Sequence, residues 1–358
     1  HHKVTKIISI NQLINRLIIS KQLLRKEIIM TTVRLLLLTV FASSIVGCGF
    51  SEKKVQATNE SEGKDILFAD PTIIQNQGKY YLTGTGDNVS EGFTVMESVD
   101  LKKWYLSDNP YILKKNDHTF GETGFWAPQW FSFNNMNYLT YTANEQTVLA
   151  KSLNLLGPFR QDTVKPIDAS EKNIDSFLFK DDDGKCYLYH VRFNKGNYIW
   201  VCEFDVEKGE IIPGTLKQCL TCTEPWESTS NYVSDPIMEG PSVIKIDGVY
   251  YLFYSANHFM NIDYAVGYAT SSSPLGPWKK YKNNPILHRS IVGENGSGHG
   301  DIFKNTKGNY YYVYHVHNSD SCVSPRKTRI VPLKMKKNSE GIYDISVSKN
   351  EVIKPYQY

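Results

Sequence analysis

From about residue 66 onward, the chain is built of short apolar runs rich in Tyr, Phe, Trp, Val and Ile, separated by clusters of Gly, Asn, Asp and Pro. That pattern predicts strands joined by tight turns. No stretch beyond Ile66 holds a 3.6-residue apolar period for three turns, so helix is a poor competitor. Five stretches repeat one arrangement, a polar or special residue, a short strand, a turn and an aromatic strand, at 68–85, 125–142, 173–190, 239–255 and 298–315. Aligned on Tyr81, Tyr138, Tyr187, Tyr251 and Tyr311, they recur at intervals of 57, 49, 64 and 60 residues. Each interval is long enough for about one four-stranded sheet. The turns Asn76–Lys79, Asp182–Lys185 and Ile246–Val249 each contain a glycine suited to a tight hairpin. A strand-rich chain of this length must close on itself or shield its edges. The expected fold is therefore all-β, a five-bladed β-propeller over residues 66–358, with the first strand of each repeat lining the axis.

The residues before it read differently. Met30 is followed by a basic position at Arg34, an apolar run from Leu35 to Val40 and small residues up to Cys48, the layout of a secretion signal. Ile45-Val46-Gly47-Cys48 resembles the bacterial lipobox, which implies a lipid carried on Cys48 and a place in the bacterial cell envelope. The apolar run is short for a bilayer span, so a lipid anchor is favoured over a transmembrane helix. Residues 1–47 are thus expected to be an upstream extension and a removed signal, and 48–65 a polar tether.

Charge and cysteines narrow the classes. Residues 1–47 hold seven of the 40 Lys and Arg and one of the 37 Asp and Glu, which leaves 33 basic against 36 acidic side chains, a balance near −3. Nothing there suggests a nucleic-acid partner, and a monomer is expected. Beyond Cys48 five cysteines remain, an odd number. Cys219 and Cys222 form a lone C-x-x-C without a second pair, which argues against zinc. Cys186 and Cys202 fall on neighbouring strands and either bridge or pack as small apolar groups, packing being favoured.

The candidate chemistry follows from the repeat. Counting back 11 or 12 positions from the anchor tyrosines gives Asp70, Trp126 or Ala127, Asp175, Glu239 and His299, three acids and a histidine converging on one axis. With the segments 69–71, 126–128, 173–190, 239–254 and 298–303, the chain resembles glycoside hydrolase family 43, the five-bladed propellers that include arabinofuranosidases, arabinanases and β-xylosidases.

The resemblance implies Asp70 as general base, Asp175 as pKa-modulating acid and Glu239 as general acid of an inverting glycosidase acting on arabinose- or xylose-containing glycans. It also implies Arg326 as a substrate-binding residue, with Arg329 close in register, and His299 near a calcium ion or a water cluster. No cofactor is implied for the chemistry itself. Phe125 and Trp126 are candidates for stacking on a sugar ring, while Asn257 and His258 follow the fourth hairpin without an assigned role. Ser176 stands where the family usually has proline after the modulating aspartate.

Two carboxyl groups with different pKa values are what inverting hydrolysis needs, one to protonate the leaving oxygen and one to activate water. Competing expectations are an endo-arabinanase or exo-galactosidase of the same fold, a retaining fructan-type hydrolase, and a catalytically silent glycan-binding propeller. The signatures of the fructan group are absent, and the presence of all three acids weighs against silence.

Overall fold

The computed structural model describes residues 63–86 and 90–358. The expected signal, the Cys48 lipid site and nearly all of the tether lie outside the described residues. Among the described residues, helix is confined to Arg289–Val292 and two short 3-10 turns.

Five sheets follow one another along the chain. Blade 1 runs through Ala69–Asn76, Lys79–Thr85, Gly92–Ser98 and Lys103–Lys114, and blade 2 through Trp126–Phe133, Met136–Ala143 and Gln146–Ser152. Blade 3 comprises Asn173–Lys180, Cys186–Phe193 and Asn197–Asp205 with short outer strands, and blade 4 Met238–Ile246, Val249–Ala256, Ala265–Ser271 and Lys279–Lys280. Blade 5 comprises Gly298–Lys304, Tyr310–Val316 and Lys327–Pro332. Blades 2 and 5 therefore have three ladder strands rather than the expected four, and single bridges, Lys151 with Arg160 and Ile330 with Ile353, stand at their outer edges.

The aromatic strands are explained by burial on both faces. In Val249–Ala256 every residue from Tyr250 onward is buried, because a blade is a middle layer between two others. Five apolar clusters result, one in each gap between adjacent blades; that between blades 5 and 1 joins Phe303, Val313 and Ile330 to Ile73, Leu82 and Trp104. None of the five described cysteines is bridged, and Cys186 and Cys202 are packed in the gap between blades 2 and 3.

The ring is closed in two places. Around the axis each inner strand packs on the next and the fifth returns to the first. At the outer edge of blade 1, Tyr356–Gln357 lies parallel to Lys103–Trp104 and is covered in turn by Lys64–Asp65. The fold thus takes in Lys64 and Asp65, two residues expected to belong to the tether.

All five hairpins that carry the inner strands bulge near the strand start, and one residue in each bulge is left-handed: Asp70 (φ 48°), Ala127 (46°), Asp175 (55°), Gly240 (60°) and His299 (38°). Bulges re-aim side chains, and here they turn successive residues toward the axis. Their freed N–H groups are capped from the preceding blade. Ala127 N–H donates to Thr85 Oγ1 at 2.9 Å, Asp175 N–H to Thr142 Oγ1 at 3.0 Å, His299 N–H to Ser255 Oγ at 2.7 Å and Asp70 N–H to His315 Nδ1 at 3.1 Å. In the fourth blade the partner again comes from the preceding blade, but it is the carboxylate at that blade's bulge, Gly240 N–H going to Asp175 Oδ2 at 3.2 Å.

Candidate active site

A cavity of about 430 Å³ opens at the strand starts and is lined by Asp70, Asp175, Glu239, His299, Trp126 and Arg326, among others. The three acids, 169 positions apart in sequence at the extreme, therefore meet at one cavity. They are 9, 6 and 8 % exposed, so each ionised form must be stabilised by protein groups or given up.

Asp70 is the best supported of the three. Its Oδ1 lies 3.1 Å from Arg326 Nη1 and 3.2 Å from His299 Nδ1, and its Oδ2 accepts from Thr85 Oγ1 at 2.7 Å. Burial alone would raise its pKa, but the Arg326 guanidinium, with His299 and His315, brings it well below the usual carboxylate range. Both histidines are held neutral, His315 pushed down to about 3 by burial and by Arg326.

Glu239 and Asp175 have poorer company. Glu239 Oε1 accepts from Tyr264 Oη at 2.8 Å, and burial together with the Asp70 charge pushes its pKa up to about 7 despite that bond. Asp175 is raised well above the ordinary range by burial and by repulsion from Glu239 and Asp70, with the Gly240 N–H as partial relief. The site therefore holds one carboxylate that stays ionised and a neighbouring pair that retains protons near neutrality.

Glu239 is not in the register of the other acids. Gly240 occupies the left-handed bulge position that Asp70 and Asp175 fill in their blades, so Glu239 takes the place held by Trp126 in blade 2. A glycine is required there, because a Cβ at residue 240 would sit 2.6 Å from His299 Cδ2.

The expected aromatic pair is split. Trp126 lines the cavity, whereas Phe125 is 0 % exposed, stacked on Tyr141 at 5.7 Å and 10° in the core between blades 1 and 2. Phe125 stands just before the strand that begins at Trp126 and turns its ring into the core, while Trp126 faces the cavity. The two arginines are also placed apart. Arg326 stands before the third strand of blade 5 and reaches Asp70, while Arg329 is tied to Glu294 at 2.8 Å and to Asp65 at 3.3 Å.

The surroundings of His299 do not suit calcium. An adjoining void of about 20 Å³ is lined by His299, Asp70, Asp175 and Asp301. Asp301 already accepts from Ser242 Oγ at 2.7 Å, Ile302 N–H at 2.7 Å, Thr72 Oγ1 at 2.7 Å and Gln129 Nε2 at 2.9 Å, while His299 itself spends Nδ1 on Asp70. Calcium asks for about six to eight oxygen ligands. Among the described residues no group of three or more His, Cys, Asp or Glu side chains is placed to hold a metal ion. Asp301 acts instead as a staple, tying blades 1, 2, 4 and 5 together at the axis.

Thr85, His315 and Tyr264 were not anticipated. The first two lie four residues after anchor tyrosines, as do Thr142 and Ser255, so the repeat carries their signal; Tyr264 has none.

The sequence profile of glycosyl hydrolases family 43 matches residues 65–340. The chain belongs to this family. A crystal structure of an endo-1,4-β-xylanase from Bacteroides thetaiotaomicron VPI-5482 is 40% identical, with 83% of this chain and 99% of that one covered and a TM-score of 0.74. A xylosidase/arabinosidase of Butyrivibrio fibrisolvens is 25% identical over 69% of this chain and 48% of its own length. A β-D-galactofuranosidase of Aspergillus niger is 32% identical over 40% of this chain and 36% of its own. The chain thus spans about half or less of these two curated relatives. Family 43 membership agrees with the five blades read from the repeat.

Proposed function

We propose that the protein is an inverting glycosidase that removes β-D-xylosyl or α-L-arabinofuranosyl units from xylan- or arabinan-type glycans. The observation that carries this reading is the contrast at one cavity between Asp70, clasped by Arg326 and Thr85, and Glu239, a buried acid that accepts from the Tyr264 phenol and is pushed up by burial. The Glu239 carboxyl donates its proton to the glycosidic oxygen as the bond to the anomeric carbon breaks. Asp70 takes a proton from a water that attacks that carbon from the opposite face, so the product is inverted. Asp175 acts as a positioning residue: its Oδ2 holds the Gly240 N–H beside Glu239, and its proximity keeps the pair from ionising fully. Trp126 offers a flat face to a sugar ring, and Arg326 both steadies Asp70 and borders the substrate space.

Support for the pentose comes from the activities for which the xylanase and xylosidase/arabinosidase relatives are named. Internal cleavage is a second reading, favoured by a neighbouring hollow of about 330 Å³ on blade 1 that shares Leu67 and Gly86 with the catalytic cavity. Attachment to the bacterial envelope through Cys48 remains part of the proposal and rests on the lipobox-like sequence alone.

The test is a screen of nitrophenyl β-D-xyloside and α-L-arabinofuranoside beside xylan and arabinan with wild type, Asp70→Asn and Glu239→Gln. Asp70→Asn should lose about 10²–10⁴-fold on every substrate, since water activation is needed in all cases. Glu239→Gln should lose as much on the polysaccharides but far less on the nitrophenyl glycosides, whose leaving group needs little help. Undiminished hydrolysis of a polysaccharide by Glu239→Gln would remove the assignment.

A further inference from the structure

In four blades the second strand caps the bulge of the next blade with a side chain at one fixed position, four residues after the anchor tyrosine. That position pairs with the residue just before the bulge of its own blade: Thr85 with Ala69, Thr142 with Trp126, Ser255 with Glu239 and His315 with Gly298. In blade 3 the same slot, opposite Ile174, is filled by Val191, which is 0 % exposed. A valine side chain neither donates nor accepts a hydrogen bond. The Gly240 N–H that a hydroxyl in this slot would cap goes to Asp175 Oδ2.

The difference bears on the acids because Asp70 and Asp175 occupy equivalent bulge positions in blades 1 and 3. In blade 1 the Thr85 hydroxyl stands between two groups, accepting from Ala127 N–H at 2.9 Å and donating to Asp70 Oδ2 at 2.7 Å. Blade 3 lacks that link, and Asp175 accepts the backbone N–H at 3.2 Å, a longer bond. The other groups that act on Asp175 are Glu239, Asp70, Arg326 and the Tyr264 phenol. His299 Nδ1 stands 3.7 Å from Asp175 but 3.2 Å from Asp70.

We propose that Val191 is a positioning residue for the reaction: by presenting methyl groups where blade 1 presents a hydroxyl, it withholds from Asp175 the donor given to Asp70, so two aspartates of one register act as different acids. The proposal rests on the glycosidase reading of the cavity. It also accounts for the tie between Asp175 and the backbone beside Glu239, since Val191 leaves the Gly240 N–H for Asp175 to hold.

The test uses Val191→Thr, close to isosteric, and Val191→Ala, which loosens packing without adding a donor. The side-chain carboxyl carbon of Asp175 is followed by NMR across pH in the whole protein made with isotope-labelled aspartate, its signal assigned by its loss in Asp175→Asn. A hydroxyl that donates to the carboxylate favours the ionised form, so Val191→Thr should lower the Asp175 titration midpoint by about one pH unit, while Val191→Ala should not lower it. A midpoint that stays in place or rises in Val191→Thr overturns the proposal, as does an equal fall in Val191→Ala. If Val191→Thr does not fold, Val191→Ser, which places in blade 3 the residue type found at this slot in blade 4, is read against Val191→Ala in the same way. The titration needs no substrate. A wild type that hydrolyses neither xylan nor arabinan oligosaccharides removes the glycosidase reading, and the Asp175 midpoint still decides whether Val191 governs that acid.

Discussion

Tyr264→Phe isolates one bond at the proposed acid. The phenol donates to Glu239 Oε1 at 2.8 Å, and its ring stacks near His315 at 5.8 Å, a packing that phenylalanine preserves. A hydrogen bond to an ionised group contributes about 1.5–3 kcal/mol and one to a neutral group about 1 kcal/mol, so the phenol favours the carboxylate over the acid by about 1–2 kcal/mol. With 1.36 kcal/mol per pKa unit, its loss should raise the Glu239 pKa by about one unit. The sign follows from which form loses more: the carboxylate does, so the proton stays on to higher pH. Glu239 begins at about 7, and the alkaline limb of kcat/KM should move from there toward about 8. The assay is a pH profile on an unactivated xylo- or arabino-oligosaccharide, where protonation of the leaving oxygen limits the rate. An alkaline limb that stays in place, or moves to lower pH, would refute both the bond's role and Glu239 as the group that titrates.

Three further perturbations probe the same electrostatics and packing. Glu239→Gln should stabilise the protein at pH 8 by about 3 kcal/mol and leave it unchanged at pH 4: a folded pKa of about 7 against 4.5 makes the wild type lose stability as pH rises through that window, which thermal melts at the two pH values will read. Arg326→Met removes the largest influence holding Asp70 down, so the Asp70 pKa should rise and the acid limb of the pH profile shift upward; an unmoved acid limb would show that Asp70 is not the base being titrated. Gly240→Ala pairs a left-handed φ of 60° with a Cβ 2.6 Å from His299 and should cost about 1–3 kcal/mol in a denaturant melt, together with most activity, because residue 240 is the hinge between Asp175 and Glu239.

The sequence carried the blades and most of the site because both repeat. Five tyrosines at near-constant spacing reveal hairpins, and fixed offsets from them find Asp70, Asp175 and His299. What escaped is what breaks the period. Glu239 was placed in the register of the aspartates, yet the bulge residue of its blade is Gly240, and a one-residue shift inside a bulge leaves no mark on hydrophobic spacing. Phe125 reads as a sugar contact beside Trp126, yet it precedes the strand and packs on Tyr141 in the core, a turn of the backbone that hydrophobic spacing does not mark. Thr85 and His315 sit at a repeated offset that polar residues of different types fill, so their signal lies in position and not in chemistry. Tyr264 precedes the third strand of blade 4, outside any repeated position, and only the assembled fold brings its hydroxyl to Glu239. Lys64 and Asp65 look like linker because their partner strand, Tyr356–Gln357, lies at the far end of the sequence.

The outer seam of blade 1 and the Arg326 contact to Asp70 share one consequence for biogenesis. Asp70 belongs to the first blade, but its guanidinium and imidazole neighbours come from residues 299–326, so its acidity is set only after the fifth blade docks. A nascent chain or a fragment ending before residue 298 would carry Asp70 without the guanidinium and imidazole groups that clasp it in the closed ring, and Glu239 without the finished cavity. Catalytic competence should therefore arrive abruptly with completion of the circle, and no subset of blades should retain a fraction of it.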